Sequence, residues 1–103
     1  MKNLEVNGII VQLDDDGYLA DSSQWNEDIA KAIAENEGIE LTDKHMEVLN
    51  YLRDLYNSGE SLTIRKVGKS GIVDIKGFYK LFPKGPLKLA SKFAGLPKPT
   101  SCV

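Results

Sequence analysis

The feature that limits the fold of this chain most is the repeated occurrence of glycine or proline at the ends of short segments with helical apolar spacing. Glycine takes the left-handed conformation that closes many helices, and proline cannot continue one. Such breaks recur at Gly38, Gly59, Gly71, Gly85 and Gly95. The pattern predicts a mainly α fold of short helices, and no segment is apolar over the length needed to span a bilayer.

The N-terminal segment predicts a β-hairpin over about residues 4–13. Asn7-Gly8 lies between two β-rich stretches, and this pair is the strongest short hairpin signal because a type I′ turn needs positive φ at both central residues. The acidic run 14–16, followed by Gly17, is interpreted as a turn. It lacks the spaced ligands and the closing glutamate of a calcium loop.

Capping residues place the first two helices. Residues 21–23 offer helix caps before Trp25. Trp25 is the first of a series of apolar residues at helical spacing, and the helix they predict ends at Gly38. Thr42 caps a second amphipathic helix that ends at residues 57–59. We expect Trp25 to belong to the core.

The second half predicts three further short helices. Residues 61–83 form two of them around a glycine turn at residues 68–71, an arrangement that resembles a helix-turn-helix. The second of these two helices is expected to pack through five apolar residues: Ile72, Ile75, Phe78, Tyr79 and Phe82. Pro86 can occupy the first turn of a last helix, which Gly95 caps.

The C-terminal segment 96–103 predicts a flexible arm attached to a single helical domain, residues 1–95. Pro97 and Pro99 forbid a helix and favour an extended backbone. The arm carries Cys102, although cysteine is normally among the most buried residues. An accessible thiol suits sulfur transfer, because a thiolate must reach a partner's sulfur and then offer it onward. We expect Cys102 to be catalytic, and the alternative from position alone is a terminal cysteine without a role.

Composition argues against several other kinds of site. A single cysteine excludes an internal disulfide and a cysteine-rich metal site, and His45 has too few soft partners to hold zinc. The turn at residues 68–71 lacks the upstream glycine of a phosphate-binding loop. We therefore expect no metal and no cofactor, and we expect His45 to be a surface or helix-capping residue.

The two parts of the chain differ in charge. Residues 1–60 contain 14 acidic and 4 basic residues, whereas residues 61–103 contain 1 acidic and 9 basic residues. A basic half can bind an anionic partner, although solvated surface lysines are the ordinary alternative. DNA binding through the helix-turn-helix is a further, weaker alternative. It would use the basic residues Arg65, Lys66, Lys69, Lys76 and Lys80.

Four stretches resemble the DsrC/TusE family along nearly the whole chain: residues 25–27, 38–45, 81–86 (LFPKGP) and 94–103 (AGLPKPTSCV). The last two are specific motifs. The family is known for a compact helical domain with an N-terminal hairpin, a helix-turn-helix element and a mobile C-terminal arm. The resemblance implies that Cys102 matches the family's working cysteine. Met46 is a departure, because the family usually has tryptophan there.

What the resemblance implies about chemistry depends on a second cysteine. Family members of the DsrC type, which serve dissimilatory sulfur metabolism, carry it in the last helix and hold sulfur between the two cysteines as a trisulfide. That position is Ser91 here, and a hydroxyl cannot form a disulfide. The one-cysteine pattern is similar to members of the TusE type, which accept persulfide sulfur from the TusBCD complex and pass it to MnmA for tRNA 2-thiouridine formation.

The resemblance thus implies a sulfur carrier with a transient persulfide on Cys102. Its expected partners are a TusBCD-like donor and an MnmA-like acceptor, with tRNA nearby through the acceptor. The alternatives are a DsrC-like gamma-subunit partner of dissimilatory sulfite reductase, which Ser91 disfavours, and a DNA-binding regulator. The N-terminus lacks the apolar core of a signal peptide, so we expect a cytoplasmic monomer that does not bind membranes.

Overall fold

The computed structural model of the protein describes residues 2–83 and 85–99. A hairpin precedes five helices. The elements are β1 (Lys2–Val6), β2 (Ile9–Leu13), α1 (Glu27–Asn36), α2 (Asp43–Asn57), α3 (Ile64–Gly68), α4 (Ile75–Leu81) and α5 (Pro86–Phe93), with a 3-10 turn at Ser22–Gln24 before α1. This architecture confirms the predicted mainly α fold with an N-terminal hairpin.

The hairpin closes at the predicted turn. β1 pairs with β2 in antiparallel register, and Val6 faces Ile9 across Asn7 and Gly8, whose φ angles are 51° and 83°. Both values are positive, as a type I′ turn requires. The first strand begins at Lys2 rather than Leu4, and the hairpin otherwise agrees with the prediction.

The first helix begins later than the caps at residues 21–23 predict. Asp21 caps the 3-10 turn instead, and the Asn26 side chain accepts a hydrogen bond from the Ile29 N–H at 2.9 Å, so that α1 starts at Glu27. Trp25 therefore lies in extended backbone between the 3-10 turn and α1, and it is half-buried against the core as expected. This placement lets its indole ring reach the far end of α5.

The two short helices predicted in residues 61–83 are present as α3 and α4. Phe78 and Phe82 are fully buried and contact each other edge to face. Ile75 and Tyr79 were expected to pack beside them, and this prediction is wrong, because they are 48% and 47% exposed. A helix of seven residues turns only one narrow stripe toward the core, and Phe78 occupies it.

The hydrophobic core is built mainly from one side each of α1, α2 and α5, with Val11 and Leu13 of β2 added at its edge. Pro86 opens α5 at its first turn, as predicted. Leu96, which the sequence assigns to the arm, is buried in this core with 1% exposure. The packed body therefore extends one residue beyond the predicted boundary at residue 95. No helix in the described ranges is both long and apolar enough to cross a membrane.

Candidate functional site

The residue to which the sequence assigns the chemistry, Cys102, lies outside the described residues. The structure does describe the end of α5, from which the C-terminal segment departs, and the chain up to Pro99. The candidate site is therefore built from this departure point and from the surfaces beside it.

The end of α5 is closed by a glycine motif. Gly95 has φ of 69°, and its N–H donates to the Lys92 carbonyl oxygen at 3.2 Å. The Leu96 N–H donates to the Ser91 carbonyl oxygen at 3.0 Å. These two bonds define a Schellman motif, which satisfies two of the four carbonyls that every helix leaves unpaired at its C-terminus.

The other two terminal carbonyls of α5 are bound by side chains from distant parts of the chain. The indole Nε1–H of Trp25 donates to the Phe93 carbonyl oxygen at 2.7 Å. The guanidinium Nη1 of Arg53, on α2, donates to the Ala94 carbonyl oxygen at 2.8 Å. All four carbonyls at this helix end are therefore paired. A cation beside a helix C-terminus also interacts favourably with the helix dipole.

Arg53 connects three elements at once. Its guanidinium lies 4.5 Å from the centroid of the Trp25 ring, a cation–π distance. Two of its nitrogens also donate to Ser22, to the hydroxyl at 3.3 Å and to the carbonyl oxygen at 3.4 Å. Desolvation by partial burial lowers the pKa of Arg53, yet arginine stays protonated in proteins. We call Ser22, Trp25 and Arg53, with the carbonyls of Phe93 and Ala94, the α5 clamp.

Gly95 packs directly against the clamp. A Cβ atom built on this residue would lie 2.6 Å from Cδ1 and 2.9 Å from Cγ of Trp25, closer than side chains tolerate. Only glycine therefore fits both the positive φ and the contact. The sequence predicts Gly95 as a cap, which is confirmed, but it does not predict the tryptophan against it.

Beyond Leu96, residues 97–99 run along the surface of the body. Pro97, Lys98 and Pro99 line a groove of about 480 Å³ whose other side is formed by Tyr56 and residues 60–63. Lys98 Nζ lies 3.4 Å from an oxygen of Asp16, and both side chains are exposed. Such an exposed pair contributes little stability, about 0–1 kcal/mol.

Ser91, which the resemblance drawn from the sequence matches to the second cysteine of DsrC-type members, is fully buried in α5. Its hydroxyl finds no hydrogen-bond partner among the residues that the structure describes. The side chain is thus enclosed in the body rather than presented at the surface.

His45 is buried, with 6% exposure, so the expectation of a surface residue is wrong and the expectation of a cap is confirmed. Its Nδ1 accepts the Thr42 N–H at 3.0 Å, which leaves Nε2 to donate to the Leu81 carbonyl oxygen at 2.8 Å. Both ring nitrogens are thereby occupied in structural bonds. Within residues 2–83 and 85–99, no group of three or more metal-ligating side chains could hold an ion.

Five of the nine basic residues of the second half lie on or directly beside α3 and α4. Asp74, the only acidic residue from 61 onward, caps α4 by accepting the Gly77 N–H at 2.7 Å. The outer side of α4 carries Lys76 and Lys80 beside the exposed Ile75 and Tyr79, and we call these four residues the α4 surface. No ion pair holds either lysine in the described part of the chain.

The sequence did not single out Arg53, and it expected of Trp25 only that it joins the core. The available signal was weak: Arg53 is one of only four basic residues in the first sixty. The cationic side chain is half-buried on α2 next to the fully buried Leu52.

Comparison with known proteins shows the family to which the chain belongs. The family described as DsrC like protein matches residues 5–103. The sulfurtransferase TusE homolog of Haemophilus influenzae is 49% identical over 97% of this chain and 99% of its own. Sulfurtransferase TusE of Escherichia coli is 46% identical over 90% of this chain and 93% of its own.

Solved structures agree with the sequence relatives. The oxidized gamma-subunit of the dissimilatory sulfite reductase (DsrC) from Archaeoglobus fulgidus superimposes with a TM-score of 0.84 at 40% identity, covering 99% of this chain and 100% of that one. The DsrC of Allochromatium vinosum gives the same TM-score of 0.84 at 37% identity, covering 98% and 97% of the two chains. The chain under study is thus a member of the DsrC-like family.

Proposed function

We propose that the protein is a sulfur carrier that takes up sulfur as a persulfide on Cys102 and delivers it to a partner protein. One observation carries this proposal. Relatives that are named sulfurtransferase TusE match most of the chain at 46–49% identity, and the family match over residues 5–103 includes its single cysteine. Cys102 is therefore the one sulfur nucleophile that the chain can offer.

The transfer consists of two thiol exchanges. The Cys102 thiolate attacks the outer sulfur of a donor persulfide, the donor's S–S bond breaks, and the donor cysteine leaves as a thiolate. An acceptor thiolate then attacks the outer sulfur on Cys102, and the Cys102 thiolate leaves. The outer sulfur keeps its oxidation state throughout, so neither an electron donor nor a cofactor is required.

Ser91 determines how the persulfide on Cys102 is discharged. A second cysteine in the same chain could attack the inner sulfur and release sulfide while forming an internal disulfide. A serine hydroxyl cannot perform this attack, and here it is also buried. The sulfur can therefore leave Cys102 only by transfer to another molecule, which is the behaviour required of a carrier.

The partners in this proposal are proteins, namely a TusBCD-like donor and an MnmA-like acceptor in the cytoplasm, with tRNA approached through the acceptor. The α4 surface supports protein docking, because two exposed apolar side chains lie beside two lysines that form no ion pair within the described residues. An apolar stripe next to a basic stripe fits an acidic protein face that contains an apolar patch.

The proposal is tested by incubating the purified protein with a cysteine desulfurase and cysteine and then measuring its intact mass. We expect a gain of one sulfur atom that a reductant removes. Ser101→Ala serves as a matched neighbouring control and should still gain the sulfur, whereas Cys102→Ser should not. Absence of the gain in the unmodified protein, or its persistence in Cys102→Ser, would refute the proposal.

A second candidate is a DsrC-like partner of dissimilatory sulfite reductase, which the likeness to the gamma-subunit from Archaeoglobus fulgidus favours. Without a cysteine at Ser91, the chain cannot close an intramolecular trisulfide. Binding to a purified sulfite reductase that exceeds binding to the donor and acceptor proteins would favour this candidate. A DNA-binding role gains no support from the relatives reported above, which are named for sulfur chemistry.

A further inference from the structure

We infer that Arg53 and Trp25 are positioning residues that set the direction in which the C-terminal segment leaves the body, and so control delivery of Cys102 to a partner. The consequence for delivery rests on the proposed function. The control of direction rests on geometry alone and can be measured without any sulfur chemistry.

The α5 clamp contains more hydrogen bonds than the ends of α1 and α2. α1 and α2 end in the same Schellman motif, with Gly38 and Gly59 at the left-handed position. In the described ranges, no side chain binds the last two carbonyls of either helix. At α5, by contrast, side chains from two distant parts of the chain, Trp25 and Arg53, bind both of these carbonyls. At the end of α4 a single side chain, His45, binds one terminal carbonyl, that of Leu81. Because α1 and α2 end without such donors, the α5 clamp exceeds what helix termination requires.

The two donors of the α5 clamp, Arg53 and Trp25, are themselves held in place. The donors come from places that the core already holds, since Arg53 follows the buried Leu52 on α2 and Trp25 precedes the capped start of α1. The guanidinium is a planar fork, and it binds Ser22 and the Ala94 carbonyl while it lies over the indole ring. Several directed bonds to a pre-organised planar group leave little freedom at the helix end.

The direction fixed at the end of α5 extends into Gly95 and Leu96. Gly95 lies in contact with the Trp25 ring, and Leu96 is buried, so neither residue can rotate without breaking packing. Pro97 and Pro99 then restrict the next φ angles. Cys102, three positions beyond Pro99 in the sequence, is tethered to this fixed origin. A tether of this kind raises the effective concentration of the thiol on one side of the body.

The direction can be measured because the chain has a single cysteine. A nitroxide attached to Cys102 broadens the NMR signals of those amides that the segment approaches. In the unmodified protein we expect the broadening to be confined to one side of the body. In Arg53→Gln and in Trp25→Phe, which keeps the ring but loses the N–H donor, it should spread over other faces.

A second change makes the test independent of whether these variants are stable. Insertion of a glycine pair between Leu96 and Pro97 leaves the α5 clamp intact and removes only the stiff connection, so the broadening should spread here too. Identical broadening in the unmodified protein, the folded clamp variants and the insertion variant would overturn the inference.

Delivery is measured by loading Cys102 with sulfur and following single-turnover transfer to a purified MnmA-like acceptor. We expect the rate at saturating acceptor to fall about tenfold in Arg53→Gln, since small misplacements of a reacting group are costly. The half-saturating acceptor concentration and the reaction of Cys102 with a small disulfide reagent should stay unchanged. Val48→Ala, a buried change elsewhere on α2, controls for lost stability and should transfer normally.

The outcomes separate the two claims. If the unmodified protein takes up no sulfur, the proposed function fails while the broadening maps still decide the question of direction. If sulfur is taken up but Arg53→Gln transfers as fast as the unmodified protein, the positioning role is refuted and the carrier function stands. A slower reaction with the small reagent as well would assign Arg53 a structural role only.

Discussion

Replacement of Gly95 by alanine should destabilise the protein more than the same change at any other helix-ending glycine. Two costs add. A left-handed backbone costs a residue with a Cβ about 1–2 kcal/mol, and φ at Gly95 is 69°. The new methyl group would also lie 2.6 Å from Cδ1 of Trp25, and overpacking of this kind costs about 1–3 kcal/mol. The sum predicts a loss of about 2–5 kcal/mol.

Gly38→Ala is the matched control. Gly38 ends α1 in the same Schellman motif with φ of 74°, but a Cβ there would meet no atom within 4 Å. This variant should therefore lose only the backbone term, about 1–2 kcal/mol. The difference between the two variants isolates the contact of Gly95 with Trp25.

The assay is urea unfolding followed by circular dichroism, with thermal unfolding as a second measurement. Each kcal/mol should lower the melting temperature by about 4–8 °C in a domain of this size. Adding Trp25→Ala to Gly95→Ala should reduce the extra penalty, because the clashing ring is gone. Equal losses of stability in Gly95→Ala and Gly38→Ala would refute the claim that Trp25 packs tightly against Gly95 at the end of α5.

Three further predictions concern separate parts of the molecule. His45→Ala should cost about 1–3 kcal/mol in urea unfolding, because it leaves two part-buried backbone groups, the Thr42 N–H and the Leu81 carbonyl, without their partner. Burial raises the pKa of Tyr18, so the unfolded chain loses this proton first and stability should fall as pH rises above about 10. Tyr18→Phe should flatten this decline. The double variant Lys76→Glu, Lys80→Glu should slow sulfur transfer to an acidic partner and remove much of its dependence on salt.

Each of these has its own control. His45→Gln should recover part of the loss, since glutamine at this position can complete a capping box. Tyr18→Phe is compared with the parent at neutral and alkaline pH, and parallel curves would contradict the burial argument. Lys31→Glu changes an exposed lysine on α1, away from the α4 surface. An equal effect of this change would show that net charge matters rather than the location of the lysines.

The parts of the fold that the sequence predicted are those governed by neighbouring residues. Asn7-Gly8 specifies its turn through the φ angles that these two residues accept, and Gly38 closes α1 for the same reason. Thr42 caps α2 because its hydroxyl needs only the backbone three residues later. Cys102 and Ser91 likewise carry their chemical meaning as single residues, since a thiol and a hydroxyl differ wherever they lie.

The predictions that failed concerned positions where several nearby residues fit the same sequence pattern. The spacing of Ile75 and Tyr79 suits a buried helix face, but Phe78 and Phe82 fill the available space under α4. Trp25 fits the start of a helix by spacing, but Asn26 caps α1 and leaves the tryptophan outside it. In both cases several residues satisfied the pattern, and packing selected among them.

By itself the sequence determined where this chain turns and which stretches are helical, because both follow from the properties of adjacent residues, and it determined that the chain has a single thiol. Only the tertiary structure decided that Arg53 and Trp25 hold the end of α5. Those bonds join residues 41 and 68 positions apart, and no local rule pairs them. The donors meet the carbonyls only after α1, α2 and α5 have packed around one core, so the control of the segment's direction is a property of the folded protein.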